Sequence, residues 1–475
     1  MLSMKRLFSS LLAICVIACT QEQSEIIPDV LPEGKSHVIP VERALESLNG
    51  FMGNSLGTKG NVKYSVSTVY SDRTVTKSSD ESSGELLYLV NFDDGDGYAV
   101  LAADDRISAD VIAVVESGSI SADNFTSNST QNRTIYNGYP TIGPGLYYNA
   151  DSTEVYINPN TFCTYSEEND DNYVGDLIVD DPGDTVKICE PFVANLIKTY
   201  AENEINLSKL DTLVSGFKGH IFDDGTTRKI SYSYSSQVIV EPMFMNFSNW
   251  TQGEKFNLLC PTVLGKQTPC GCVNLAAAYV MTYLEYPVQF IYNGIEVNWE
   301  NIKKPYGEIT DTLSASSMTR CLGVLCNSIY ANTGTFTFPS FMARSLGMLG
   351  YQNVEYGKYS TAVVLSSLQN GYPVIVCSVP GIKLTQSHAW NIDGYKKYIK
   401  TTRIDYFKDN KFIKTTYDND VTNMVHCNFG WGGKDNGYYT SGVFDLTKGQ
   451  KDGWSSGKTT NYNNYLKTIS FNIQK

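Results

Sequence analysis

The feature that most constrains the fold is a helical pattern that begins directly after two closely spaced cysteines. Residues 268–287 read TPCGCVNLAAAYVMTYLEYP. Pro269 ends any preceding element, and Gly271 allows a tight turn before the helix. Cys272 is therefore predicted at a helix N-terminus, where unsatisfied backbone N–H groups and the macrodipole favour a thiolate. The apolar residues recur at helical spacing at Val273, Ala276, Ala277, Val280, Met281 and Leu284.

A nucleophilic thiolate needs a base and a group that orients the base. The chain has only four histidines. One of them, His388, follows the strand-like run YPVIVCSV, and Asn428 lies in the later stretch HCNFGWGG beside Trp431. Upstream, Gln252 in NWTQGEKF offers an amide that could donate to a developing oxyanion.

The first residues indicate export. Lys5 and Arg6 precede a short apolar run, Leu7 to Ala18, that is too short to span a bilayer comfortably. The run ends in Val-Ile-Ala-Cys, which resembles the lipobox of bacterial lipoproteins and predicts lipidation of Cys19. The alternative is a plain secretory signal with a chance cysteine. The sequence offers no second long apolar run.

Cysteine usage argues against both a disulfide scaffold and a structural zinc site. An odd number of cysteines follows Cys19, which leaves at least one thiol unpaired. Zinc-ribbon CxxC pairs are absent, so no metal and no cofactor is predicted. Four cysteines are interpreted as small core residues, and His426 as a structural residue on a strand. These cysteines are Cys321, Cys326, Cys377 and Cys427.

Charge divides the chain into two unequal halves. Residues 20–240 carry a net charge of −20 and residues 241–475 a net charge of +5. Opposite net charges on tethered halves predict mutual attraction, although acidity alone can also serve solubility. The acidic run 166–184 fits a solvated loop. No basic stripe suggests a nucleic-acid partner.

The first half has the pattern of a folded α+β domain. Residues 41–52 form an amphipathic helical pattern, and ELLYLVNF and GYAVLAA flank the turn signal DDGDG as in a β-hairpin. A third strand is predicted in ADVIAVVESG and a helix in EPFVANLIKTYAENEI. The polar stretch 223–237 is interpreted as an exposed, cleavable linker.

Several islands of the second half together resemble the streptopain family of bacterial papain-like cysteine peptidases. The resemblance covers about residues 240–475 and depends on the order of the motifs as much as on each motif. The islands are TQGEKFNLLCP, GCV with the alanine-rich helix ending MTYLEYP, VNWENI, HAWNIDGY and HCNFGWGG.

The resemblance implies roles for the polar residues. Cys272 would be the nucleophile, His388 the base, Asn428 the residue that orients the imidazole, and Gln252 part of the oxyanion hole. Ser387 and Trp431 would contact substrate.

The chain departs from the family pattern at four places. Phe429 stands where the family usually has tryptophan, and Ser387 replaces a glycine. Residues 332–340 differ from the usual glycine-serine-rich substrate loop, and Cys270 is no family feature.

The expectation is thus an α+β protein in three parts. A lipoprotein signal (1–18) and a separate acidic α+β propeptide domain (19–235) precede a papain-like domain (236–475), which sets a helical layer against a twisted antiparallel sheet. The expected activity is that of a lipid-anchored cysteine endopeptidase zymogen. Its expected partners are peptide substrates, its own propeptide as inhibitor, and a membrane to which the lipid on Cys19 anchors it.

The alternative is a catalytically silent surface-binding lipoprotein on the same scaffold. Retention of all four polar residues favours the enzyme.

Overall fold

The structure is a computed structural model that describes most of the chain. Two predicted site residues, Cys19 and Ser387, lie outside the described residues, as does Cys163. The acidic run 166–184 also lies outside them, apart from residues 178–179. The described ranges are 23–27, 37–53, 63–71, 84–125, 146–148, 155–157, 178–179, 185–214, 226–331, 334–378, 388–445 and 466–474.

The helices of the described residues belong mostly to the second half of the chain. Two lie in the first half, and the longest of all is the second. The helices are α1 Val41–Phe51, α2 Thr185–Val214, α3 Cys272–Leu284, α4 Trp299–Ile302, α5 Thr312–Leu325, α6 Pro339–Met348 and α7 Thr361–Gln369.

The strands of the described residues are numbered in chain order. Up to residue 240 they are β1 Gln23–Ile27, β2 Tyr64–Tyr70, β3 Glu85–Phe92, β4 Tyr98–Ala102, β5 Val111–Val115, β6 Leu146–Tyr148, β7 Val155–Ile157, β8 Ile178–Val179 and β9 Thr226–Val240. After it they are β10 Thr262–Val263, β11 Lys266–Gln267, β12 Ile291–Tyr292, β13 Ile295–Glu296, β14 Ile329–Ala331, β15 Gly334–Thr337, β16 Gln352–Lys358, β17 Val374–Ser378, β18 His388–Lys408, β19 Lys411–Asn428, β20 Gly437–Thr440 and β21 Leu466–Asn472.

One antiparallel sheet joins twelve of the described strands. Its main path runs β16-β21-β17-β18-β19-β20-β5-β4-β3-β2. Strand β9 pairs with the outer part of β18, and β1 pairs with β9. The sheet therefore contains strands from both halves of the chain.

The elements predicted for the first half are present. Helix α1 buries Ala44, Leu48 and Phe51 on one face, as its spacing requires. Strands β3 and β4 form the predicted hairpin, and β5 is the predicted third strand. Strands β4 and β5 are buried along their whole length, and their core is continuous with buried residues of the second half such as Trp390 and Tyr439.

The two halves meet where β5 pairs with β20. Gly437 lies opposite Val115 and Tyr439 opposite Ala113. The approach is close at this point, since a Cβ on Gly437 would lie 2.4 Å from the carbonyl oxygen of Val114. A side chain at 437 would therefore push the halves apart.

The interpretation of residues 223–237 as a linker is wrong for the residues that the structure describes. Strand β9 pairs with β18 from Val240 opposite Tyr395 to Thr226 opposite Lys408. The physical reason is a period-two pattern, ISYSYSS, in which large and small residues alternate and suit a half-buried strand. The predicted boundary between residues 235 and 236 thus falls inside a paired strand.

The second half places a helical layer on the sheet. Helix α3 is buried over most of its length and packs against β18. This is the papain-like arrangement that the motifs predicted. No helix in the described ranges is both long and apolar enough to cross a lipid bilayer.

Candidate active site

Cys272 is the first residue of α3, as the sequence predicted. The residue before it, Gly271, has φ of +93°, and a Cβ there would lie 3.0 Å from Thr335 Cγ2. Both the left-handed backbone and the tight fit require glycine. The turn is held further by Asn274, whose Nδ2 donates to the Cys270 carbonyl oxygen over 2.7 Å. Cys272 is therefore fixed at the positive end of the helix dipole.

The predicted oxyanion residue is joined directly to this turn. The backbone N–H of Cys270 donates to the carbonyl oxygen of Gln252 over 2.9 Å. The Gln252 side chain is buried, and its Oε1 has no hydrogen-bond partner among the described residues. The Gln252 amide, whose oxygen makes no hydrogen bond to the described residues, is therefore held beside the turn before Cys272 by packing rather than by a complete set of hydrogen bonds.

His388 is the first residue of β18, the strand on which α3 packs. Three residues later, Asn391 Nδ2 donates to the carbonyl oxygen of Ala276 over 3.1 Å, which ties the strand to the first turn of α3. This hydrogen bond joins the parts of β18 and α3 that closely follow His388 and Cys272. The two residues belong to the same half of the chain.

The imidazole of His388 is held by a backbone group. Its Nε2 lies 2.8 Å from the carbonyl oxygen of Phe429. A carbonyl oxygen only accepts hydrogen bonds, so Nε2 must carry the hydrogen. In a neutral ring the lone pair is then on Nδ1.

Asn428 ends β19 and uses its amide to shape the loop that follows. Its Nδ2 donates to the Ser248 carbonyl oxygen over 3.2 Å, and its Oδ1 accepts from the Gly430 N–H over 3.0 Å. In this state the carbonyl next to it, that of Phe429, contacts the imidazole. The role of Asn428 in orienting His388 stays a prediction.

Three rings of the second half, defined here as the aromatic cluster, surround the imidazole of His388. The Trp431 ring stacks on His388 with centroids 4.3 Å apart. Trp390 and Phe429 stack on it at 6.3 Å each. Sequence reasoning placed Trp431 beside the site, and the structure puts it directly over the imidazole.

A residue of the first half completes the packing. Phe192 of α2 meets the His388 ring edge-on at 5.9 Å and the Trp431 ring at 6.1 Å. It also contacts the rings of Trp390 and Phe429. Sequence reasoning predicted the helix but gave no signal for this contact, because helical spacing does not identify a distant partner.

His426 is a structural residue, as predicted. It is buried, with its Nδ1 2.6 Å from Asp393 Oδ1 and its Nε2 3.5 Å from Glu116 Oε1 of the first half. Burial lowers the pKa of His426, but the attraction and hydrogen bond of Asp393, with those of Glu116, outweigh it and raise the pKa to about 10. Asp393 also accepts from the Phe244 N–H over 2.8 Å.

Cys260, Cys321, Cys326 and Cys427 form no disulfide among the described residues. Burial raises the pKa of Cys260 and of Cys321 to about 11, and that of Cys326 to about 12. Burial also raises the pKa of Cys427. These thiols are therefore poor nucleophiles at neutral pH.

Comparison with known proteins gives a family for part of the chain. Residues 250–439 match the model of the Peptidase C10 family. None of the curated proteins compared with the chain matches it.

Two solved structures from Prevotella intermedia are similar. A fragment of prointerpain A is 16% identical, with a TM-score of 0.43, and the alignment covers 86% of this chain and 100% of that one. Active interpain A, a cysteine protease, is 20% identical, with a TM-score of 0.32, 49% of this chain covered and 93% of that one.

Both TM-scores are below 0.5, so the assignment rests on the family match. That match contains Gln252, Cys272, His388 and Asn428 in the expected order. Residues 250–439 of this chain therefore match the Peptidase C10, or streptopain, family of cysteine peptidases.

Proposed function

We propose that this chain is an exported, lipid-anchored cysteine endopeptidase that is made as a self-inhibited zymogen. The single observation that carries the proposal is the position of Phe192. A ring from the acidic half lies against the proposed base, His388, while the proposed nucleophile, Cys272, is only 3% exposed. The burial of this thiol supports a closed form in which a peptide carbonyl does not reach it.

Backbone pairing supports the same relation between the halves. Strand β5 extends the sheet of the second half through β20, and β8 pairs with β15, which lies within the proposed substrate loop, residues 332–340. An added strand at that edge occupies backbone groups that an extended peptide substrate could use. The acidic half would thus block the cleft as well as cover the base.

Polar contacts hold the halves together near the loop that follows Asn428. The Tyr98 hydroxyl donates to Asp435 Oδ1 over 3.0 Å, and the Ser117 hydroxyl donates to the Gly433 carbonyl oxygen over 2.7 Å. Further along the interface, Lys400 Nζ lies 3.0 Å from Asp110 Oδ2. These contacts fix the loop that carries Trp431 in the closed form.

The proposed reaction is acyl transfer through a thioester. The Cys272 thiolate attacks the peptide carbonyl carbon and forms a C–S bond, while the Gln252 amide and the Cys272 N–H hold the oxyanion. The C–N bond breaks as His388 gives its proton to the leaving amine. Water, deprotonated by His388, then cleaves the C–S bond and releases the acid and the thiolate.

Matched alanine variants of the two neighbouring cysteines test the enzyme assignment. After limited proteolysis, hydrolysis of internal bonds in an end-blocked peptide should fall by about 10⁴ or more in Cys272→Ala. Cys270→Ala should keep most of the activity, since Cys270 is equally buried but two residues away. Iodoacetamide should label Cys272 only after activation. Full activity in Cys272→Ala, or equal loss in both, would support the silent binding protein instead.

Substitution of Cys19 tests the lipid anchor. Cys19→Ala should move the protein from the membrane pellet to the soluble fraction, because it removes the thiol that takes the acyl chains. Cys15→Ala is the matched control inside the same apolar run and should stay in the pellet. Unchanged membrane partition of Cys19→Ala would refute the anchor and leave a plain secretory signal.

A further inference from the structure

The loop that follows Asn428 returns a second asparagine to the same place. The last paired residues of β19 and β20 are Cys427 and Gly437, which lie opposite each other. Continued by one residue, this register sets Asn428 opposite Asn436. Side chains that lie directly opposite each other on antiparallel strands project to the same face. These two side chains, defined here as the asparagine pair, are both buried.

Both members of the asparagine pair donate to one backbone carbonyl. Asn428 Nδ2 lies 3.2 Å from the Ser248 carbonyl oxygen, and Asn436 Nδ2 lies 3.0 Å from the same atom. A carbonyl oxygen has two lone pairs and can accept both hydrogen bonds. Because the amide nitrogens face this carbonyl, the amide oxygens are left to accept from backbone N–H groups.

The amide oxygens of the asparagine pair bind two successive backbone N–H groups. Asn436 Oδ1 accepts from the Phe429 N–H over 2.9 Å. Asn428 Oδ1 accepts from the Gly430 N–H over 3.0 Å. The Gly430 N–H and the Phe429 carbonyl belong to one planar peptide unit. The asparagine pair therefore fixes both peptide units that meet at Phe429, and with them the carbonyl that holds His388 Nε2.

We propose that Asn436 is a positioning residue of the peptidase, which holds His388 through the Phe429 carbonyl. The proposal rests on the proposed function and deepens it. Asn428 fixes only one of the two peptide units, so the carbonyl could still turn about the backbone bonds of Phe429. The contact of Asn436 with the other peptide unit removes this freedom. His388 is then held in one orientation with hydrogen on Nε2, as efficient proton transfer requires.

The contacts that carry the proposal lie within the second half of the chain. Ser248, Phe429 and His388 all follow residue 240, so removal of the first half should leave them in place. The first half reaches Asn436 through its backbone, where the Glu116 N–H donates to the Asn436 carbonyl oxygen over 2.9 Å. Loss of that hydrogen bond on activation should leave the side-chain amide with its partners.

A purely structural role for Asn436 is the alternative. A buried amide that loses its hydrogen-bond partners destabilises a fold wherever it lies. The two roles differ in what a substitution changes. A structural role predicts a loss of stability alone. A positioning role predicts a lower kcat and a less protected Nε2–H on His388 in a protein that is still folded.

Matched asparagine variants test the role in the reaction. After limited proteolysis, Asn436→Ala should lower kcat about 10- to 100-fold, the factor that one hydrogen bond to a charged group contributes, with KM nearly unchanged. Asn301→Ala is the control, because Asn301 Oδ1 also accepts from two backbone N–H groups, those of Thr310 and Asp311. It should keep the wild-type kcat. Asn436→Asp retains an acceptor for the Phe429 N–H and should lose less activity than the alanine variant.

NMR of the ring N–H groups tests the contact itself and needs no activity. The full chain carrying Cys272→Ala is the parent. The chain has four histidines, and the Nε2–H signal of His388 is the one that His388→Gln removes. Its exchange with water should be at least about tenfold faster in Asn436→Ala than in the parent. Asn301→Ala and Asn436→Asp should stay close to the parent.

An alanine variant at 436 that keeps the wild-type kcat or the parent's exchange rate would overturn the proposal, as would equal changes in Asn301→Ala. If Asn436→Ala does not fold, Asn436→Asp decides, and fast exchange of the His388 Nε2–H in that variant would overturn the proposal. A proteolysed wild-type chain without peptidase activity would refute the proposed function instead. The exchange rates alone would then decide whether Asn436 holds His388.

Discussion

At the scale of single residues, position in the fold separates the thiol of Cys272 from the other thiols. The structure places it at the N-terminus of α3, where the helix dipole favours the anion. Cys326 and Cys427 are surrounded by core, and burial raises their pKa. Sequence could predict this difference, because Gly271 and the helical spacing after it are local signals. It could not predict Phe192, whose contact joins residues almost 200 positions apart.

His426 gives a pH prediction with a definite sign. Its folded pKa of about 10 exceeds the ordinary 6.5, so its stabilising contribution is complete below pH 6.5 and is lost as pH rises toward 10. Burial lowers the pKa of Lys396 to about 8, which gives the opposite slope between pH 8 and 10.5. Between pH 6.5 and 8 the slope from Lys396 does not yet oppose the slope from His426. Across it, the free energy of unfolding of the full chain should fall by about 2 kcal/mol.

Chemical denaturation at several pH values measures this slope. Glu116→Gln should make the slope shallower toward pH 8, because loss of one of the two carboxylates that raise the pKa of His426 brings that pKa closer to the upper end of the window. Asp123→Asn, on the same half of the chain but away from His426, should keep the wild-type slope. Equal slopes in all three proteins would contradict the assignment of the pH dependence to His426.

At the scale of elements, the predictions that were confirmed are those for segments whose hydrophobic residues recur at a clear helix or strand spacing. Helix α1, the β3–β4 hairpin and β5 follow simple repeats and were found from sequence. Strand β9 was missed, because its serines and its Arg-Lys pair suggested a loop, while its alternating Ile230, Tyr232 and Tyr234 have the strand period. A polar strand is stabilised by its neighbour, here β18, and local composition does not reveal that neighbour.

Helix α2 yields the next prediction through Phe192. Phe192→Ala removes the ring that packs on His388 and Trp431. Loss of a buried phenylalanine costs about 3–5 kcal/mol, part of which is contact between the halves. The closed form should therefore open more often. We expect iodoacetamide to label Cys272 in the uncleaved chain at least about tenfold faster than in the wild type.

Phe92→Ala is the matched control for this experiment. Phe92 is equally buried in the first half, on β3, and belongs to its core. It should destabilise that half without exposing Cys272 to the same degree. Equal acceleration in both variants would mean general loosening, and no acceleration in Phe192→Ala would remove Phe192 from the inhibitory contact.

At the scale of the whole molecule, the charge difference between the halves was readable from sequence, but the shared sheet was not. Cross-half ion pairs do occur, between Lys400 and Asp110 and between His426 and Glu116. The β5–β20 pairing adds backbone hydrogen bonds that carry no net charge and no sequence signature. The interface therefore has one component that salt should screen and one that it should not.

Inhibition in trans separates these two components. Cleavage before β9, near residue 225, should free an active domain of about 250 residues that keeps β9 on β18. Adding the acidic half back should inhibit it, because the acidic half supplies Phe192 and β5 to the site and the sheet. We expect the inhibition constant to rise severalfold from 10 mM to 500 mM salt, since salt weakens only the charged component.

An acidic half that carries Asp110→Asn should inhibit less strongly at low salt and show a smaller salt effect, because it lacks the carboxylate that pairs with Lys400. Full activity of the intact exported chain, or an acidic half that neither binds nor inhibits, would rule out the zymogen and make that half a spacer or partner-binding domain.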